Sequence, residues 1–450
     1  MNEIEKTTNK KQLLFYIIGV IILVIVLSCL IIAIIRHNKN NTSNDSISNE
    51  LTSNSYTTIS KGGTQNITGE NSCLVINTTD DIELNLQDAT ITCDSGPAIN
   101  IESAGTVNIK LIGENTIKST TTETLDGAIY SKEDLIFSGT GNLTITSNYD
   151  GIVSKDDLVI NGGSYTINAT DDGLRGKDEV DITSGTFTIT AGGDGIKTTN
   201  EEDTTKGYIN ITGGTFNINS VNDGIQSTSN LNIKDGTFNI KTTGNTNNDS
   251  AKGLKAVTQI TIDGGTFDIN TTDDGIHSDG NIKINNGNIT ISSKDDGIHA
   301  DGLVEINDGT INITASEGIE GTYVKINGGK NNISASDDGI NAGNKSNAYS
   351  VTIEINGGYT TINMGQGDTD GIDSNGDLYI TGGTVDITAQ SPFDYDGTAK
   401  YTGGTIIVNG STTNEITNQM MGGPGNMGGQ NGNPGGPGGN MYQNQRPGRW

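Results

Sequence analysis

The sequence predicts an all-β chain wound as a parallel β-helix, a solenoid of about 14 coils of about 21–22 residues each. Three observations predict it. The first is a recurring acid-Gly-Ile motif. Asp295-Asp296-Gly297-Ile298 returns as Asp273-Asp274-Gly275-Ile276, Asp337-Asp338-Gly339-Ile340 and Asp171-Asp172-Gly173-Leu174. Shorter copies stand at Asp150-Gly151-Ile152, Asp194-Gly195-Ile196, Asp223-Gly224-Ile225 and Asp370-Gly371-Ile372, and Lys252-Gly253-Leu254 and Glu317-Gly318-Ile319 fill the gaps. From residue 150 to residue 370 the intervals are 22, 22, 29, 29, 22, 22, 21, 21 and 32. The second is alternation: runs such as Leu303–Ile306 and Ile311–Thr314 place apolar and polar residues in turn, as half-buried strands do. Asn-Gly, Asp-Gly and Gly-Gly separate them, because tight turns need positive φ. The third is the columns these periods generate. Leu158/Ile160, Val180/Ile182, Ile209/Ile211 and Leu231/Ile233 align in one strand. Phe187, Phe216, Phe238 and Phe267 align in the next, with Tyr165 below and Ile289, Ile311 and Val385 above. Three short strands per period cannot bury their apolar faces alone, whereas stacked coils can.

Residues 1–12 are polar and are read as a cytoplasmic N-terminus. Residues 13–35 are apolar and uncharged over 23 positions, long enough to span a bilayer. No Ala-x-Ala-like cleavage site follows, so the segment is expected to remain as a single-pass anchor with the acidic domain outside the cell. Residues 36–61, rich in Asn, Ser and Thr, read as a flexible stalk. The β-helix is assigned to residues 62–410, beginning with an irregular cap. Cys73 and Cys93 are 20 residues apart, close to one coil, so stacking and cross-linking them is one reading and two small buried residues the other. Extra residues at 201–207, 244–250 and 343–350 are loops leaving the coil. Residues 411–450, built from Gly, Pro, Asn, Gln and Met, cannot bury a core and read as a disordered tail.

The balance of 54 acidic against 26 basic residues gives a net charge of −28. That excludes nucleic acid as a partner, since nothing could neutralise a phosphate backbone, and it suits a surface that collects cations. Aromatic residues make up 5% of the chain, too few for rows of sugar-stacking platforms.

Stacked coils lie about 4.8 Å apart, so equivalent residues form ladders. A ladder of ionised aspartates is unfavourable unless solvent, raised pKa values or a cation offsets it. Ca²⁺ is the expected cation, because it accepts six to eight oxygens in flexible geometry. The candidate ligands are Asp150, Asp171, Asp172, Asp194, Asp223, Asp273, Asp274, Asp295, Asp296, Asp337, Asp338 and Asp370. Ordinary Asp-Gly turn chemistry is the competing explanation. Transition metals are disfavoured, since the three His and three Cys are not at ligand spacing in the sequence. One residue beyond the inward Ile or Leu runs a second column: Val153, Arg175, Lys197, Gln226, Lys255, His277, His299, Glu320, Asn341 and Asp373. Its basic members Arg175, Lys197, Lys255, His277 and His299 either balance the neighbouring aspartates or floor a groove that contacts acidic sugars.

These features resemble the β-helix carbohydrate-binding proteins of cellulolytic clostridia. The resemblance rests on the repeated Asp-Asp-Gly-Ile, on the Gly-Gly-Thr-Phe runs at residues 213–216 and 264–267, and on the Met/Gly/Pro tail. It implies a right-handed, pectate-lyase-like parallel β-helix, bound calcium, and binding of cellulose or acidic plant polysaccharide such as polygalacturonate, without established catalysis. Thr369-Asp370-Gly371-Ile372-Asp373 resembles part of the polygalacturonase signature, but its core recurs in nearly every coil, and the companion Gly-His-Gly and Arg-Ile-Lys elements are absent. A calcium-dependent lyase using Lys197 or Lys255 as base is the enzymatic alternative; a structural or adhesive surface protein is the third. The sequence leaves oligomeric state open.

Overall fold

The computed structural model describes residues 56–120, 127–244, 250–365 and 369–418. The expected anchor at 13–35, the segments on either side of it up to residue 55, and the tail beyond 418 lie outside the described residues. Among the described residues every regular element is a β-strand, forty in all, joined in one sheet. No helix among them is long and apolar enough to cross a membrane.

The strands form layers. Each pairs in parallel with its counterpart one period further along the chain. Leu158–Ile160 lies on Val180–Ile182, and Phe216 on Phe238, with the residues between in step. The inserted residues at 201–207 do not shift this register: Val180 still meets Ile209 and Phe187 still meets Phe216. The loop at 343–350 is pinned by Thr322 Oγ1, which accepts the Lys345 and Ser346 N–H groups at 3.0 and 2.9 Å. At the far end the sheet changes character, where Thr405–Val408 pairs antiparallel with Ser411–Thr413. Order extends slightly beyond the boundaries read from the sequence. Thr57–Ile59 already pairs with Leu74–Ile76 inside the expected stalk, and Ser411–Thr413 lies inside the expected tail. Near the start of the sheet Cys73 and Cys93 form a disulfide, with Cα atoms 4.9 Å apart.

The core runs between the layers. Alternation decides it: Thr215–Ser220 buries every second residue. Tyr165, Phe187, Phe216, Phe238 and Phe267 stack face to face, with ring centroids 5.0, 4.8, 4.7 and 4.6 Å apart. That is the spacing of paired strands, so the ladder imposes the stack. Beyond Ile311 the column departs from the expectation. Asn331 and Thr360, both fully buried, precede Val385, and Asn331 Nδ2 donates to Thr360 Oγ1 at 3.3 Å.

Glycine has two distinct roles. Before the aromatic strand it supplies positive φ, as at Gly236 (141°), where a Cβ would also meet the Phe238 ring at 2.8 Å. In the Asp-Gly-Ile motif its φ is not positive. At Gly224 a Cβ would lie 2.4 Å from Ile240 Cγ2 and 2.6 Å from the Gly253 carbonyl oxygen. The Asp-Gly-Ile glycine is therefore a close-approach residue, not the positive-φ turn residue that its sequence suggests.

Candidate functional site

The acid-Gly-Ile motif leads into a ladder of short strands. It includes Ile152–Ser154, Leu174–Gly176, Ile196–Thr198, Ile225–Ser227, Leu254–Ala256 and Ile276–Ser278. The first residue of each is buried. Val153 is fully buried and Glu320 nearly so, the other middle residues are partly exposed, and all are in register: Val153, Arg175, Lys197, Gln226, Lys255, His277, His299, Glu320, Asn341 and Asp373. The acids before the glycines form the neighbouring column, and the two columns interlock.

Six inner aspartates use Oδ1 to bind the backbone of the next layer. Asp150, Asp172, Asp194 and Asp223 accept the N–H groups of Asp172, Asp194, Asp223 and Lys252 at 2.9, 2.8, 2.8 and 2.8 Å. Asp274 and Asp338 accept those of Asp296 and Asp370, both at 3.1 Å. Oδ2 turns to the second column. Arg175 meets Asp150 at 2.8 Å, Lys197 meets Asp194 at 2.6 Å, and Lys255 meets Asp223 at 3.5 Å. Lys252, which stands where an acid would be, reaches Asp273 and Asp274, each at 2.9 Å. His277 Nδ1 lies 2.8 Å from Asp274, and His299 Nδ1 lies 3.0 Å from Asp296. The leading residues of the doublets are less constrained. Asp171, Asp295 and Asp337 are exposed, whereas Asp273 is buried against Lys252.

The electrostatics follow from this packing. Burial, with the charge of Asp150, raises Asp172 to about 6 despite Lys197. Burial and Asp223 raise Asp194 to about 6 as well. Burial would lower Lys197, but Asp194 and Asp172 outweigh it and hold the ammonium above its usual range. Burial would raise Asp274, yet the His277 and His299 hydrogen bonds and Lys252 hold it well below the carboxylate range. Both imidazoles are raised against their burial, His299 to about 12, by carboxylates on either side.

Towards Asp373 the cations thin out. Glu320 keeps Lys345 at 2.7 Å. Burial, with Glu320 beside it, pushes Glu317 to about 7. Burial and the charges of Asp373 and Glu317 push Asp338 to about 7 against the Asp370 N–H bond. Burial and Asp394 raise Asp373 to about 6.

Beside the column opens a cleft of about 360 Å³. The 201–207 loop walls it, and Asn200, Gln226, Thr228, Lys255, Val257 and Asp279 line it. No lining residue is aromatic, and Val257 presents 43% of its surface. Sequence reasoning placed Lys255 and Gln226 in one column but missed the cleft, which depends on how the inserted loop folds back. It also missed a carboxylate trio: one oxygen each from Asp134, Asp156 and Asp157 lies within 4.8 Å of the others. The signal was present, since Asp134 and Asp156 stand 22 residues apart. His277 and His299, not at ligand spacing in the sequence, are neighbours across layers. The His277 and His299 rings are edge to face with centroids 4.8 Å apart.

Comparison with known proteins gives three findings. A solved structure of the polysaccharide lyase-like protein from C. thermocellum, a gadolinium derivative, is 28% identical over 53% of this chain and 91% of its own, with a TM-score of 0.40. No curated protein matches the chain. The model of a family described as carbohydrate-binding domain-containing protein matches residues 53–297 and 292–419. The chain belongs to this carbohydrate-binding family.

Proposed function

We propose that the chain binds an acidic polysaccharide of the polygalacturonate class in the cleft beside Gln226 and Lys255. The observation that carries the reading is the lining, in a member of a carbohydrate-binding family. Amide, hydroxyl, ammonium and carboxylate groups converge around one apolar side chain, as recognition of a hydroxylated ring requires. Cellulose is the weaker choice, because no lining residue offers an aromatic face for a flat glucan. Lys255 Nζ, 3.5 Å from Asp223 and 3.2 Å from Ser250 Oγ, is the group that would meet a uronate carboxylate. Arg175, Lys197, His277 and His299 extend the same face, their charges shared with the aspartates.

The reading is of binding without catalysis. A lyase base must be neutral to accept a proton; of the two candidate bases, Lys197 is held towards its protonated form and Lys255 faces the Asp223 carboxylate at 3.5 Å.

The wider reading is a right-handed parallel β-helix displayed outside the cell by the 13–35 segment. The parallel pairing of strands one period apart supports the winding, and the Cys73–Cys93 disulfide suits an oxidising compartment. Ca²⁺ is part of the proposal, and the structure bears on where it fits. Among the expected ligands, Asp150, Asp171 and Asp172, and Asp273, Asp274 and Asp295, each bring three carboxylate oxygens within 4.8 Å of one another, although Arg175, Lys197 and Lys252 already pair with their inner aspartates. Asp134, Asp156 and Asp157 fit it better: they are oxygen donors only, and burial with acidic neighbours raises both Asp156 and Asp157. Bound there, Ca²⁺ would offset the mutual repulsion of the three carboxylates.

Affinity electrophoresis of the full chain through gels containing polygalacturonate or soluble cellulose derivatives tests the reading. Retardation by polygalacturonate, weakened in Gln226→Ala and Lys255→Met and accompanied by no unsaturated or reducing-end products, is expected. Products would move the assignment to a lyase or hydrolase. No retardation by either glycan would leave a structural or adhesive role.

A further inference from the structure

The ladder brings together a donor set that its sequence scatters. His277 and His299 are consecutive members of one column, on layers in direct register. His277 Nδ1 lies 2.8 Å and His299 Nδ1 lies 3.7 Å from the same oxygen, Asp274 Oδ2. Asp296 Oδ2 lies 3.0 Å from His299 Nδ1. One donor atom each from Asp274, His277 and His299 fall within 4.8 Å of one another, and so do those of Asp296, His299 and Glu320.

We propose that His277, His299, Asp274 and Asp296 hold one divalent transition-metal ion of the zinc class, bridging two adjacent layers. Three physical arguments support this. Ligands about 2.0–2.1 Å from a tetrahedral Zn²⁺ stand about 3.3–3.5 Å apart, and the observed separations of 2.8, 3.0 and 3.7 Å bracket that value. Each histidine also turns Nδ1 towards the aspartates and Nε2 towards an outer carboxylate. His277 Nε2 is hydrogen-bonded to Asp279 at 3.0 Å, whereas His299 Nε2 faces Glu320 and Asp301 at 3.4 and 3.7 Å without a hydrogen bond. An outer carboxylate on the far ring nitrogen is how metal-binding imidazoles are oriented and made more basic. Finally, two imidazoles and two carboxylates select the zinc class over Ca²⁺, which takes oxygen donors.

Lys252 is the competitor, since its Nζ occupies Asp274 Oδ2 at 2.9 Å. It reaches Asp273 Oδ2 at the same 2.9 Å, so it keeps a carboxylate when Asp274 turns to a metal. The site adjoins the cleft through Asp279, which both lines the cleft and faces His277.

Titration of the metal-free full chain with Co²⁺ and Zn²⁺ tests the proposal without reference to sugar binding. One Co²⁺ per chain is expected, with the visible absorption of a low-coordinate site, displaced by Zn²⁺ and unaffected by excess Ca²⁺. His277→Gln or His299→Gln should weaken uptake by on the order of a hundredfold or more, since even outer-shell partners of a metal ligand are worth about 10–100-fold. His37→Gln, which alters the remaining histidine of the sequence, should leave uptake unchanged. X-ray absorption at the zinc edge of the wild-type chain needs no variant to fold, and should show two imidazoles. No uptake by the wild type, uptake unchanged in both histidine variants, or an oxygen-only zinc shell would overturn the proposal.

Discussion

At the scale of the residue, the inner aspartate does two tasks that a turn residue would not need to combine. Asp194 Oδ1 accepts the buried Asp223 N–H, and its Oδ2 holds Lys197. Asn keeps the first task and loses the second; Ala loses both. Asp194→Ala is therefore expected to destabilise the chain by about 1–3 kcal/mol, the cost of an unsatisfied buried donor, and Asp194→Asn by less. Denaturant melts of the two variants check this, and equal losses would contradict it. Glu317 and Asp338 show the opposite situation, acids without enough cations, each raised to about 7. Their unfolded values lie near 4. Between about 4 and 7 the folded chain thus holds protons that the unfolded chain has released, so this contribution to stability is present on the acid side and lost as pH rises through about 7. The raised histidines act in the same sense at higher pH. The melting temperature is expected to fall between pH 5 and pH 8. Glu317→Gln with Asp338→Asn should raise it at pH 8, change it little at pH 5, and flatten the profile.

At the scale of the element, the aromatic stack and the disulfide carry testable weight. Phe238 is buried and stacked between Phe216 and Phe267, so Phe238→Ala is expected to cost about 3–5 kcal/mol by equilibrium unfolding. The Cys73–Cys93 bond closes a span of 20 residues and should contribute about 3 kcal/mol, lost on reduction. The phenylalanine column was legible because period-two alternation and a regular interval fix which residues stack. Asn331 and Thr360 were not, because a buried amide donating to a buried hydroxyl leaves no apolar signature. The glycine of Asp-Gly-Ile was read as a turn residue because sequence does not distinguish positive φ from lack of space for a Cβ. The His277–His299 pair was missed for another reason. Ligand spacing was sought along the chain, while the ladder sets it across layers, one period apart. The cleft lay furthest from reach, since it depends on an inserted loop whose path no periodicity records.

At the scale of the whole molecule, a net charge of −28 is divided unevenly. Between Asp150 and Asp296 the acids are matched by Arg175, Lys197, Lys252, Lys255, His277 and His299, and beyond Glu317 they are largely unmatched. The matched half carries the cleft. There Lys255 offers a cation to an anionic sugar, beside the Glu201 and Asp279 carboxylates of the same lining. Raising ionic strength is expected to weaken glycan binding only modestly, since one partly screened cation makes the charged contact. The central claim is that this cleft holds the sugar. Isothermal titration calorimetry of the full chain with a defined oligogalacturonate, repeated on Gln226→Ala and Lys255→Met, tests it most directly. Saturable binding by the wild type, weakened about tenfold or more by either substitution, with the melting temperature of Gln226→Ala unchanged and that of Lys255→Met lowered by the loss of the Asp223 pairing, is the expected result. Wild-type affinity in both variants, or no heat of binding in the wild type, would contradict it.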